Sequence, residues 1–339
     1  MGKVKSGLIG YGYWGPNLAR TISQSENSEL KYCAEIDEKL LSQAKKDYPQ
    51  IITIKNYSEM LSDDEISAIF IVTPTKTHHK IAKDCLKASK HVFIEKPIAS
   101  STDEVKELIT LANKHRVKLM VGHIFLFNPA VQYIKKTIKK GIIGKTRYLH
   151  FQRRNLGPIR KDVNVLWDLA PHDISMALYF VDKKPVRVLA VGQSFLQKGI
   201  QDVVISSIHF EGNILANMIF SWIDPIKIRD ITIVGEKKMI LFNDIKPVQK
   251  IKIFDKNAKI IENTRGVSFN QYQILIHSGS ISVPKIERKE PLAAEISHFI
   301  DCITKNLDPI TDGRNGLEVV KIISALQESL ENGSKVVNL

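Results

Sequence analysis

A chain of 339 residues exceeds what one hydrophobic core usually organises, which points to two domains. Its 43% hydrophobic and 25% charged residues exclude a disordered chain, and no apolar run approaches the roughly 18 to 20 residues that cross a bilayer. The net charge of +13 fits acidic small molecules better than nucleic acid, because the lysines are scattered and pairs such as Lys135-Lys136 and Lys139-Lys140 fall at helical spacing, as on a solvated face. Cys33, Cys85 and Cys302 are odd in number and outside any metal or CxxC spacing, so reduced, mostly buried thiols and no metal site are expected. The basic N-terminus enters a short strand pattern directly, without a leader-like apolar segment, and a cytoplasmic location is the expectation.

In chain order, residues 4–9 predict a buried strand, Gly10 to Gly15 a glycine-rich turn and residues 17–24 a helix. A second strand is predicted at 30–36 and a helix at 37–48, followed by strands at 51–54, 68–72, 91–94 and 119–122. Helices at 77–88 and 101–115 lie between them, the latter opening with Ser101-Thr102-Asp103 as N-cap material. Alternating short apolar strands and amphipathic helices predict an α/β fold whose N-terminal part is a doubly wound parallel sheet with right-handed crossovers.

After residue 122 the texture changes. Helices are predicted around 129–140 and 172–180, then strands at 186–194, 203–211, 214–222, 229–234, 239–242 and 250–254 with turns such as Glu211-Gly212-Asn213. This predicts an open, mostly antiparallel sheet, closed by helices at 291–305 and 313–331. Two domains are expected, 1–122 for a dinucleotide and 123–339 for substrate and oligomerisation, with the final helix free to pack back on the first.

Gly10-Tyr11-Gly12-Tyr13-Trp14-Gly15 is a GxGxxG run directly after a strand and before a helix, where glycines allow a tight turn and a pyrophosphate can sit on the helix N-terminus. Asp37, at the end of the second strand, is the acid expected to accept from the adenosine ribose hydroxyls, although it lies 27 residues after Gly10 against a usual spacing of about 20. Glu35 and Glu38 are alternatives, and Asp37 can equally serve as a helix N-cap. A carboxylate there repels a 2′-phosphate and favours NAD over NADP. Thr73-Pro74-Thr75 with His78, and Glu95-Lys96-Pro97, follow two further strands at the ends where ligands bind in an open α/β sheet.

These motifs, with Asp168-Leu169-Ala170-Pro171-His172, resemble in order and approximate spacing the Gfo/Idh/MocA family of sugar and inositol oxidoreductases, a likeness that extends to Pro291-Leu292, Glu295, Phe299 and the 309–316 segment. The resemblance implies that Lys96, Asp168 and His172 are catalytic. Residues four apart share a helix face, so Asp168 and His172 can serve one pocket, although Pro171 places a helix start between them. His172 is the expected base, its ordinary pKa of about 6.5 suiting proton exchange near neutrality. Lys96 would stabilise developing alkoxide charge or itself carry the proton, and Asp168 would orient substrate hydroxyls or the imidazole.

Arg153, Asn155 and Arg160, in the stretch leading to Trp167, are expected to line the substrate pocket; arginines there would grip a carboxylate or diphosphate, or else pair with local acids on a solvated edge. The Trp-Asp-Leu-Ala-Pro-His pattern is most similar to the nucleotide-sugar branch of the family. Leu126 stands where many relatives carry arginine, which weakens an inositol or glucose assignment, and His123 reads as a packed or backbone-bonded histidine. The function expected is an NAD-dependent oxidation of a secondary alcohol on a sugar by a homodimer or homotetramer. A non-catalytic NAD-binding sensor and a redox-neutral, NAD-assisted sugar bond cleavage are the alternatives.

Overall fold

The structure is a computed structural model that describes residues 2–262 and 272–339. It comprises two compact units, Met1–Asn128 with Lys289–Ser324, and Pro129–Arg288 with Ala325–Leu339. After residue 288 the chain returns to the first unit and carries the helix Pro291–Thr304 and the first part of the final helix there.

The first unit runs β1 (Val4–Ile9), α1 (Gly15–Gln24), β2 (Ser28–Ala34), α2 (Glu38–Asp47), β3 (Ile52–Ile54), α3 (Ser58–Leu61), β4 (Ala68–Ile71), α4 (Thr75–Lys87), β5 (His91–Glu95), α5 (Thr102–His115) and β6 (Leu119–Gly122). Its six strands are all parallel in the order β3-β2-β1-β4-β5-β6. Every residue of β4 and β6 is buried, as sheets covered on both faces require. The strand order reverses between β1 and β4, and the carboxyl ends of those strands border the crevice where such sheets bind ligands. Ser101 and Glu104 form a reciprocal capping box at the start of α5.

A short 3-10 turn (Ile124–Phe127) leads to the second unit, with α6 (Pro129–Lys139), β7 (Thr146–Leu156), α7 (Val165–Phe180), β8 (Pro185–Gln193), β9 (Val203–Phe210), β10 (Ile214–Ser221), β11 (Ile223–Gly235), β12 (Met239–Asn243), β13 (Ile251–Glu262) and β14 (Tyr272–Ser282). After α8 (Pro291–Thr304) and α9 (Gly313–Glu331) comes β15 (Val337–Asn338). The second sheet has the order β14-β13-β12-β11-β7-β10-β9-β8-β15 and is antiparallel except where β7 meets β10. Leu149, Phe151 and Arg153 of β7 are buried on the face that α7 covers. On the other face Val191 and Ile205, cross-strand partners, are about half exposed.

α8 belongs to the first unit because its apolar stripe, Leu292, Ile296, Phe299 and Ile300, is buried there. The Phe299 ring packs edge-on against Phe70 of β4 and Phe93 of β5, with centroids 5.4 and 5.8 Å apart. The three cysteines are free and buried, and burial raises all three thiols, Cys302 to about 11. Among the described residues no helix is long and apolar enough to cross a membrane.

Candidate active site

The glycine turn has the shape a dinucleotide phosphate needs. Gly10 adopts φ +102°, and a Cβ there would stand 2.8 Å from the Val72 carbonyl oxygen at the end of β4, so only glycine fits. At Gly15 a Cβ would lie 2.5 Å from the Gly10 oxygen, which fixes close packing of the turn on α1. Gly12, by contrast, has open space at its Cβ position, leaving its backbone approachable by a ligand. Tyr11 is buried, its hydroxyl donating to Asp47 at 2.8 Å, while Tyr13 is 97% exposed and Trp14 half-buried.

The acid facing this turn is Glu35. Its Oε2 accepts from the Tyr11 amide at 2.6 Å and its Oε1 from the Asp37 amide at 3.0 Å. Because β2 stops at Ala34, Asp37 falls beyond the strand and becomes the N-cap of α2, its Oδ1 accepting from the amides of Lys39 and Leu40 at 2.8 and 3.2 Å. Of the two readings of Asp37, the geometry displays the helix cap. Ile36, between the two acids, is 85% exposed.

At the ends of β4 and β5, Thr73, Pro74 and Thr75 remain partly or fully accessible, with Thr73 accepting from the Thr77 hydroxyl at 2.8 Å. His78 does not. It is buried, with Nδ1 2.9 Å from the Pro97 oxygen and Nε2 2.7 Å from the Thr73 oxygen, so the ring is wedged between the two strand ends, its single neutral N–H donating to one of these carbonyls, and is not open to a cofactor. Burial holds its pKa below the usual histidine range.

Lys96 is partly exposed at the carboxyl end of β5, and its amide donates to Glu95 at 3.2 Å. Glu95 also accepts from the Trp14 side chain, which links the glycine turn to the Lys96 strand end. Burial pushes the Glu95 carboxyl up to about 7, against the opposing pull of Lys96 and the donated hydrogen bonds. His123, one residue past β6, is buried with neither ring nitrogen bonded to the protein, so it is packed but not backbone-bonded. Burial and then the charge of Lys96 push its pKa down to about 3, which keeps it neutral.

The Glu95 shift has a testable consequence. A carboxyl whose pKa rises from 4.5 to about 7 on folding is bound to its proton more tightly in the folded state, so the stability it contributes is full at low pH and is lost as pH rises through that window. Urea unfolding of Glu95→Gln is therefore expected to gain on wild type as pH increases from 4.5 to about 7. A difference that stays constant with pH would contradict the assignment.

In the second unit α7 starts at Val165, not after Pro171, because the Asn164 side chain caps it by accepting from the Trp167 amide at 3.1 Å. Pro171 lies inside the helix, where it cannot donate to the carbonyl of Trp167. Asp168 and His172 are therefore four residues apart on one helix, both half-buried, with Trp167 half-buried on the first turn. The Asp168 carboxylate accepts from the Trp222 indole at 3.1 Å and from Arg160 at 3.4 Å, while Arg160 holds Asp162 at 2.6 Å.

Arg153 is corrected. It faces inward from β7 and grips Asp173 of α7 through Nε and Nη2, at 3.2 and 2.7 Å, with side chains only 5% and 3% exposed. The Asn155 amide donates to the Gly157 carbonyl within its own loop. Trp222, which sequence reasoning missed, carried a weak signal as a tryptophan closing a predicted strand.

Residues 4–123 match the family model described as "Oxidoreductase family, NAD-binding Rossmann fold", and residues 131–241 match the model of the same family's C-terminal domain. The chain belongs to the Gfo/Idh/MocA oxidoreductase family. An uncharacterized oxidoreductase of Bacillus subtilis is 27% identical over 348 residues, covering 98% of this chain and 96% of that one. The UDP-N-acetylglucosamine 3-dehydrogenase of Acidithiobacillus ferrooxidans is 28% identical over 349 residues, covering 96% of each. The fold is shared with scyllo-inositol dehydrogenase of Lactobacillus casei, solved with NAD(H) and scyllo-inositol bound, at TM-score 0.81, 21% identity and 99% coverage of both chains.

Proposed function

We propose that this oxidoreductase is an NAD-dependent dehydrogenase of a secondary alcohol on a nucleotide-linked sugar. The observation that carries the reading is Lys96 at the carboxyl end of β5, beside the strand that borders the crevice, with Glu95 connecting it to the glycine turn. The full-length likeness to a UDP-N-acetylglucosamine dehydrogenase supports the substrate class.

When bound, NAD accepts or returns a hydride at nicotinamide C4. The Gly12 backbone, with open space beside it, and the N-terminus of α1 would receive its pyrophosphate, and the remaining lone pairs of the Glu35 carboxylate would accept from the adenosine ribose while repelling a 2′-phosphate. Lys96 donates a hydrogen bond to the reacting oxygen and stabilises the alkoxide. His172 takes the hydroxyl proton, and Asp168, held by Trp222 and Arg160, orients a neighbouring hydroxyl. Arg160, not Arg153, is the accessible arginine for a diphosphate.

Incubation with NAD and a panel of UDP- and dTDP-sugars, read at the reduced-nicotinamide absorbance band, is expected to show turnover with at least one of them. Turnover confined to free inositols or hexoses would overturn the nucleotide-sugar assignment.

Glu35 and Asp37 separate by different readouts. Hydrogen bonds to a charged group are worth about 1.5–3 kcal/mol, so Glu35→Ala is expected to weaken NAD binding about tenfold to a hundredfold by calorimetry. Asp37→Ala is expected to leave affinity near wild type and lower stability by about 1 kcal/mol through the lost cap. The reverse pattern would return the ribose role to Asp37.

The half-exposed apolar residues on the open face of the second sheet support a homodimer or homotetramer, in which paired faces remove Val191 and Ile205 from water. Light scattering at micromolar concentration is expected to give a multiple of the 38.3 kDa chain; a monomer would sink this reading.

A further inference from the structure

Glu295 is a fully buried acid on α8, and neither of its carboxyl oxygens has a hydrogen-bond partner in the protein. One turn further along the helix, Phe299 packs against Phe70 and Phe93 of β4 and β5. The same helix packs on the 3-10 turn that follows His123 and on α1. The ionisable group whose charge reaches Glu295 is Glu95, at the end of β5. Glu95 in turn lies against Gly122, its partner in the β5–β6 register, where a Cβ would come within 3.1 Å of Glu95 Oε1. Lys96 interacts with Glu95 and with the neutral His123; on α8 itself, His298 accepts from the Ile310 amide at 3.0 Å.

An ionised carboxylate at position 295 would have neither solvent nor donors, and its interacting neighbour carries the same sign of charge. We propose that Glu295 is the neutral member of a carboxyl pair with Glu95, the two groups holding one proton between them, and that it acts through Glu95 as a positioning residue for Lys96. A single negative charge then remains at the end of β5, on Glu95, where the Trp14 side chain and the Lys96 amide donate to it. That charge keeps the Lys96 ammonium protonated and placed. Were Glu295 ionised instead, the proton would move to Glu95 and Lys96 would lose its adjacent anion.

The consequence for catalysis rests on the reading of Lys96 given above, but the test requires neither NAD nor turnover, so the two can fail separately. Infrared spectra of the apoprotein in deuterated buffer are expected to show a protonated-carboxyl band that persists at about pH 8 to 9, above the pH near 7 at which Glu95 ionises and far above the pKa of about 4.3 of a solvated glutamate. Glu295→Gln, isosteric with the neutral acid, is expected to remove it. The pH dependence of Lys96 labelling by an amine-reactive reagent, followed by mass spectrometry, is expected to stay in place in Glu295→Gln and to move to lower pH in Glu95→Gln. Absence of the band from wild type, its survival in Glu295→Gln, or an equal labelling shift in both variants would overturn the proposal. The wild-type pH series alone decides the first point should the variant fold poorly.

Discussion

Lys96→Met is expected to lower kcat by about 10²- to 10⁴-fold, the range that one positioned acid-base or charge-stabilising group supplies. NAD affinity should change far less, since the pyrophosphate and ribose contacts proposed here come from the glycine turn and Glu35. His172→Ala is expected to fall by a similar factor. The double variant should be little worse than either single one, because residues that act as a unit on one proton transfer lose their joint effect with the first removal. The measurement is steady-state kinetics beside a fluorescence titration with NADH. A Lys96→Met enzyme within about tenfold of wild type would contradict the role given to the lysine.

The second large effect concerns folding. Arg153→Met leaves the Asp173 carboxylate buried without its bidentate partner, and breaking such a pair typically costs about 3–5 kcal/mol. Asp173→Leu is expected to cost a comparable amount, by removing the buried carboxylate that the guanidinium grips. Arg153→Met combined with Asp173→Leu should recover most of the loss, because two apolar side chains of similar volume need no solvation. Urea unfolding of the three variants checks this, and equal additive losses in the double variant would contradict it. Since the pair joins β7 to α7, the helix that carries Asp168 and His172, activity in the single variants should decline along with stability.

The parallel sheet was legible because its strands are buried on both faces and so read as short continuous apolar runs, such as residues 68–71 between helical periods. β7 was not, since Thr146-Arg147-Tyr148-Leu149-His150-Phe151-Gln152-Arg153 offers only two apolar residues to the covered face and then an arginine whose partner lies 20 residues on. β14 and the far half of β13 likewise escaped prediction: residues 274–282 of β14 are exposed on both faces, which leaves no alternation to read. Of the proposed site residues, the glycine turn, Lys96, Asp168 and His172 were visible as motifs. The choice between Glu35 and Asp37 was not, because it turns on β2 ending at Ala34, and strand ends shift by a residue or two with tertiary context. His78 read as a cofactor contact because it follows a strand end, whereas its ring bonds the Pro97 carbonyl 19 residues away. Trp222 and Glu295 gain their meaning from contacts with Asp168 and Glu95 across long stretches of chain, which spacing does not encode.

The most direct test of the central claim is to denature the purified protein and identify any released or added-and-retained nucleotide by mass. NAD(H), bound at micromolar or better affinity and discriminated from NADP(H), is the result expected from the glycine turn and Glu35. A protein that retains no dinucleotide, or that prefers the 2′-phosphorylated form, would contradict the account.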